Sequence, residues 1–443
     1  MDYLKRLLVG KPLKSAENDE HKLTRFAALA LLSSDALSSI AYGTEQIVVV
    51  LVALSAAAIW YSLPIAAFVI ILLISLTLSY RQIIHAYPHG GGAYVVSSEN
   101  LGKNAGLISG GSLLIDYMLT VAVSVSAGAE AITSAVPALY GHQVAISVTI
   151  VLLLMMLNLR GLRESASFLL FPVYTFILVI SLLIVVGLYN IVTGAVPLQA
   201  TALPGAAVPG VSIALILRAF SSGSSSLTGV EAISNAVPFF KKPRAKNAAA
   251  TLTMMALILG FFFVGITFIN YWYGIVPEKE VTVLSQIGKA VFGHGILYYI
   301  LQFATALILA VAANTGFSAF PVLAYNLAKD KFMPHMYQDR GDRLGYSNGI
   351  ITLALGSIVL LFIFHGSTER LIPLYSIGVF ICFISNRDGR QMEKRRKKMV
   401  KQIDCQYYRC VHLICNHCDF VRLSVRRHLA FLHHHANRYV HFL

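Results

Sequence analysis

The sequence predicts an all-α integral membrane protein of about ten spans, and three observations carry that prediction. Only 13% of the 443 residues are charged while 56% are hydrophobic, against roughly a quarter charged in soluble domains. The mean hydropathy is +0.68. The apolar residues gather in nearly uncharged runs, such as 65–78, 144–157, 168–188 and 252–268, and runs approaching ~18 residues suit helices that cross a ~30 Å hydrocarbon layer. Inside lipid the backbone must bond to itself, so helices are the natural form of these runs.

Taken in order, the expected spans are 24–54, 63–84, 106–136, 144–159, 167–192, 211–239, 248–275, 297–327, 350–364 and 371–385. Residues 1–23 read as a cytoplasmic arm, because Lys5, Arg6, Lys11, Lys14 and Lys22 mix with acids and no apolar core is present. The loop charges agree with that orientation. Inner loops would hold Arg81, Lys103, Arg160, Arg163, Lys241, Lys242, Arg244, Lys246, Lys329, Lys331, Arg340 and Arg343, and outer loops only Lys279, Lys289 and Arg370. The expected location is the plasma membrane, multi-pass, with a cytoplasmic N-terminus.

Spans one and six carry similar interruptions. Ser38-Ser39-Ile40-Ala41-Tyr42-Gly43-Thr44-Glu45 and Ser224-Ser225-Ser226-Leu227-Thr228-Gly229-Val230-Glu231 agree at four of eight positions. Small polar residues and Gly offer the backbone alternatives to helical bonding. Broken segments at equivalent places in two five-span halves point to an inverted-repeat transporter, whose unwound midpoints line the substrate site. The halves would be residues 24–193 and 194–385. Serine-rich packing faces between helices are the plainer alternative, and the shared glutamate argues against it.

Two motifs add a family resemblance. Tyr87-Pro88-His89-Gly90-Gly91-Gly92-Ala93-Tyr94 and Asn158-Leu159-Arg160-Gly161-Leu162-Arg163-Glu164-Ser165-Ala166 resemble the inner-loop motifs of the amino acid–polyamine–cation (APC) superfamily. Within it the chain is most similar to KimA-type (YdaO-like) proton-coupled potassium importers, related to the KUP group, over about residues 1–381. The resemblance implies a LeuT-like five-plus-five fold and uptake of potassium with protons, without a cofactor. It also implies that Asp35, Tyr42, Asp116, Thr120, Ser124, Thr228 and Tyr375 line the cation path and that Glu231 couples protons.

The residues support a cation independently. Asp116, Thr120 and Ser124 fall at i, i+4 and i+8, one oxygen-bearing stripe. Asp35 and Tyr42 are nearly two turns apart and share a face if the helix continues. A carboxylate at membrane depth needs a partner or an ion, and a hard cation exchanges its water for protein oxygens. The alternative for the hydroxyls is ordinary bonding between helices. Asp35 would also repel a substrate carboxylate, although a polyamine or a cationic amino acid remains a second reading. Arg218 and Glu45 are candidates for a gate in which the arginine pairs with a carboxylate, and Glu130 is expected nearer the outer surface. No nucleophile–base arrangement, dinucleotide fingerprint or phosphate loop points to an enzyme. Gly90-Gly91-Gly92 follows a membrane span rather than a strand. A channel reading lacks a selectivity-filter segment.

From about Cys382 the character changes. All five cysteines, seven of the fourteen histidines and thirteen of the thirty-five Lys/Arg lie beyond residue 381. The net charge of +14 therefore does not point to nucleic acid. Cys415, Cys418, His428 and His433 suggest a zinc finger, but the nine residues between the pairs are fewer than the twelve usual in such fingers, so no structural metal is expected. The expectation for 386–443 is a shifted reading frame, replacing the final spans and domain that support a homodimer in the resembling family. Resequencing the coding DNA is expected to reveal that shift near codon 382. An intact frame would overturn it.

Overall fold

The computed structural model describes residues 23–378, apart from 88–91, 161–165, 200–202, 206–207, 279–280 and 340–345. Among the described residues the secondary structure is helical, with two isolated β-bridges, Leu23 to Phe240 and Glu278 to Val281. The zinc pattern and the rest of the tail lie outside the described residues.

Three helices occupy the first predicted span: α1 (Arg25–Leu32), α2 (Ser34–Ser38) and α3 (Ile40–Val52). A 3₁₀ turn, Ala56–Tyr61, leads into α4 (Ser62–Ala86). Then come α5 (Ala93–Leu101), α6 (Lys103–Ala135), α7 (Gln143–Leu159) and α8 (Ala166–Val192). The sixth predicted span holds α9 (Ile213–Gly223), a 3₁₀ turn Ser224–Leu227, and α10 (Ala232–Asn235). The remainder is α11 (Arg244–Trp272), α12 (Val283–Phe292), α13 (Ile296–Lys329), α14 (Ser347–Ile363) and α15 (368–378). Among the described residues, five stretches are long and apolar enough to cross a membrane: Ala56–Ala86, Lys103–Ala135, Leu170–Val192, Arg244–Trp272 and Ile296–Lys329. The sequence reading missed α5 and α12, short helices in connecting segments that lack an apolar run of spanning length.

The break in span six falls where expected. Thr228 is extended and Gly229 has φ +75°, a left-handed conformation that favours glycine. The break in span one does so only in part, because Ser39 lies within the expected stretch 38–45 and Ser33 lies before it. Gly43, Thr44 and Glu45, expected in the interruption, are inside α3. The cause is local. The Ser38 and Ser39 hydroxyls donate to the carbonyls of Asp35 and Ala36, at 2.9 and 2.6 Å, and such back-bonding competes with the helical ladder. At Gly43 the ladder has resumed, its N–H bonding to the Ser39 carbonyl at 2.7 Å.

Apolar side chains divide between two environments. Phe68, Ile71, Ile74 and Leu78 form an exposed stripe on α4, as do Phe171, Leu178, Val185 and Val192 on α8. That is the surface a helix presents to lipid, where an exposed apolar face carries no penalty. The interior is unusually polar, with buried hydroxyls at Ser33 and Ser39 and on α2, α6 and the Ser224–Leu227 turn. Small residues allow the helices to approach closely. A Cβ added to Gly316 of α13 would stand 2.7 Å from Val121 Cγ2 and 3.3 Å from the Tyr117 carbonyl, both on α6.

One end of the bundle is tied by polar contacts between connecting segments. The Leu23 N–H donates to the Phe239 carbonyl at 2.8 Å, and the Lys241 N–H donates to the Leu23 carbonyl at 3.1 Å. Arg25 Nε donates to Asn247 Oδ1 at 2.8 Å. The Tyr94 hydroxyl donates to Asp330 Oδ2, and burial together with that carboxylate pushes the phenol above its ordinary range. Gly316→Leu is expected to lower stability by about 1–3 kcal/mol through overpacking of α6 against α13, read as a lower thermal midpoint in detergent. Phe261→Leu, on an exposed position of α11, is expected to leave the midpoint nearly unchanged.

Candidate cation site

The two interruptions meet. The Ser39 hydroxyl, already bonded within span one, also reaches the Ser226 carbonyl of span six at 2.7 Å. Four residues on, Gly43 lies so close to Ser226 that an added Cβ would stand 2.6 Å from the serine Cβ. Gly229 presses on Asp35 in the same way. A methyl on it would stand 2.7 Å from Asp35 Oδ2 and 2.8 Å from the Ala36 nitrogen. Left-handed backbone at Gly229 thus brings the strand-like end of the break onto the carboxylate of α2.

Helix α6 supplies the opposite wall. Its uninterrupted course keeps Asp116, Thr120 and Ser124 on one stripe, and all three are buried. Thr120 Oγ1 donates to the Tyr375 hydroxyl of α15 at 3.1 Å. One turn away, Gly378 faces Asp116, and a Cβ there would be 3.6 Å from Asp116 Oδ1. The Asp116 carboxylate is within electrostatic reach of Asp35 and Glu231. Tyr375 is within reach of Asp35, Tyr42 and Asp116. Of the seven residues expected on the path, six therefore converge: Asp35 and Tyr42 from span one, Asp116 and Thr120 from α6, Thr228 from the break and Tyr375 from α15. Ser124 is buried one turn beyond Thr120.

The chemistry of the cluster lies in what is left unbonded. Among the described residues, the buried Asp35 Oδ1, Asp116 Oδ1 and Thr228 Oγ1 have no hydrogen-bond partner of good geometry, the Tyr42 hydroxyl being a polar neighbour of Thr228. Buried polar atoms are nearly always paired, and an unpaired carboxylate oxygen is the costliest kind to bury. Three such oxygens from three chain segments fit a hard cation, which is bound by oxygen ligands alone. Arginine and lysine are not among the converging side chains.

Glu231 lies beside this cluster, and its Oε2 accepts from the Tyr80 hydroxyl of α4 at 3.3 Å. No periodicity pointed to Tyr80, because its partner is 151 residues away. The role of Ser39 was equally hidden, since the serine run signalled a break but not what it touches. The proposed gate is not formed as a pair. Arg218 is exposed on α9, whereas Glu45 Oε2 accepts from the Val283 N–H at the start of α12, at 3.2 Å. The helix N-terminus, and not the arginine, supplies the donor to Glu45. Gly229→Ala is expected to abolish cation-dependent thermal stabilisation of the purified protein. Gly194→Ala has a similar positive φ but no atom within 4 Å of the added methyl, and is expected to keep it.

With this geometry in hand, likeness to other proteins is informative. The profile of the amino acid permease family matches residues 23–390. The potassium transporter KimA of Bacillus subtilis (strain 168) is 59% identical over 397 residues, which cover 89% of this chain and 65% of that protein. The low-affinity putrescine importer PlaP of Escherichia coli, strain K12, is 23% identical over 290 residues, covering 61% of this chain and 60% of the importer. The chain thus spans a little under two thirds of the length of these relatives. The match along most of its residues, together with the helical architecture, shows that the chain belongs to the amino acid permease family.

Proposed function

We propose that the protein is a secondary carrier that takes up potassium together with protons, by alternating access across the plasma membrane. The observation that carries this reading is the set of three buried, unpartnered oxygens, Asp35 Oδ1, Asp116 Oδ1 and Thr228 Oγ1. They are contributed by an interrupted span one, a continuous α6 and an interrupted span six. A dehydrated monovalent cation satisfies all three, with Tyr42, Thr120 and Tyr375 hydroxyls close by to complete its shell. The potassium-transporting relative supports the same substrate.

Alternating access follows from the same architecture. In a five-plus-five inverted repeat, with a cytoplasmic N-terminus, the two broken spans pivot about a fixed site near mid-membrane. The ties among Leu23, Phe239 and Lys241 and between Tyr94 and Asp330 would close the cytoplasmic side. Glu231 is the proton-coupling group in this reading. It is near enough to sense the charge on Asp35 and Asp116, so a proton on it and a cation between the aspartates influence one another.

A second reading, uptake of a polyamine or an amino acid, draws on the putrescine-importing relative. Two carboxylates also suit ammonium groups. The contact between Gly229 and Asp35 leaves little room beside the carboxylate, which favours a compact ion over a diamine.

Radiolabelled rubidium uptake by cells deficient in potassium uptake is expected with this protein. Asp35→Asn should reduce it at least about 100-fold, given that losing one charged ligand costs ~3 kcal/mol or more. Uptake of putrescine or arginine that outcompetes rubidium would replace this reading with the second. In proteoliposomes, Glu231→Gln is expected to retain rubidium-dependent thermal stabilisation while losing acceleration by an inward proton gradient. Undiminished proton dependence in that variant would remove Glu231 from the mechanism.

A further inference from the structure

The helix that carries Tyr375 touches α6 at three successive levels. At the site, Gly378 faces Asp116, with 3.6 Å between the position of its added Cβ and Asp116 Oδ1. Next, Tyr375 receives the Thr120 hydroxyl at 3.1 Å. Farthest from the site, Glu130 Oε1 accepts from the Thr368 N–H at 3.1 Å. Numbers rise along α6 as they fall along α15, so the two helices run antiparallel and Glu130 holds the beginning of α15.

Thr368 is the first helical residue of α15, and its N–H is one of the donors that no helix satisfies internally. Glu130 satisfies it from a firm base. Ser134, one turn on, accepts from the Thr282 N–H at 3.1 Å through its hydroxyl, and its carbonyl accepts from the Tyr298 hydroxyl at 3.1 Å. The outer end of α6 is thereby fixed to α12 and α13. Seven residues separate Thr368 from Tyr375, about 10 Å along the helix and two turns, so a shift at the first is carried rigidly to the second. Tyr375 is buried to 1% exposure and has little freedom to compensate by changing rotamer.

We infer that Glu130 is a positioning residue for the cation site: by accepting the Thr368 N–H it sets the axial position of α15, and so the placement of the Tyr375 hydroxyl beside Thr120 and Asp116. The glutamate acts through this hydrogen bond and not by touching the transported ion. An acceptor oxygen is what the position requires, so glutamine serves and alanine does not.

This inference rests on the cation reading for its transport consequence, but its structural part is measurable without any transported ion. Hydrogen exchange of the purified, ion-free protein is expected to show faster exchange across 371–378 in Glu130→Ala than in the parent, with Glu130→Gln close to the parent. Rubidium uptake is expected to show a KM about tenfold higher in Glu130→Ala with maximal rate little changed, and recovery in Glu130→Gln. Tyr375→Phe should raise KM by itself, and adding Glu130→Ala to it should raise KM no further, because both changes remove the same interaction. Unchanged exchange in Glu130→Ala, a glutamine variant as impaired as alanine, or full additivity with Tyr375→Phe would each overturn the inference. A parent protein that exchanges as described yet takes up no rubidium would instead sink the cation reading and leave the anchoring of α15 standing.

Discussion

The structure depends on the burial of carboxylate oxygens that no basic side chain among the described residues neutralises. Asp35 and Asp116 lie in the interior of a helical bundle, each with an oxygen that no donor among the described residues reaches. An acidic residue at the centre of a membrane costs at least ~2.5 kcal/mol even on the most lenient scale. Two placed close enough to feel each other's charge cost more. A fold that tolerates this has its rigidity arranged elsewhere, in close-packed glycines and in hydroxyls bonded to carbonyls along α6 and α13.

The interrupted helices are the means of bringing those oxygens together. An intact helix uses its carbonyls internally and holds neighbouring helices at side-chain distance. At Thr228 and Gly229 the backbone leaves the helix, and with no Cβ on Gly229 it approaches Asp35 to contact. Ser39 then joins the two interruptions through the Ser226 carbonyl. The serine-rich composition is thus not simply permissive. The hydroxyls of Ser38, Ser39, Ser224, Ser225 and Ser226 turn back onto carbonyls of their own segments, which covers polar backbone that would otherwise face the interior unbonded.

Helix N-termini recur as partners for acids outside the site. Glu45 takes the first N–H of α12 and Glu130 the first N–H of α15. Both are glutamates in helices contributing to the site, and both grip the beginning of another helix. This arrangement substitutes oriented backbone donors for a basic side chain, and it explains why Arg218 is not needed to balance Glu45.

Local sequence was sufficient for everything set by the solvent. Apolar runs had to become helices because lipid supplies no hydrogen bonds, and the stripe of Asp116, Thr120 and Ser124 follows from 3.6 residues per turn. The presence of two breaks was legible too, since serine and glycine weaken any helix. The exact bounds of the break in span one were not. They turned on which serine hydroxyls found carbonyls, and Gly43 was helical in spite of its composition. Contacts between distant segments were out of reach for the same reason: Tyr80 with Glu231, Ser39 with Ser226 and Glu130 with Thr368 depend on how helices cross, which no periodicity within one helix encodes. Composition determined that oxygens would be buried in a membrane; only the packing of one helix on another decided which of them would be left without a partner.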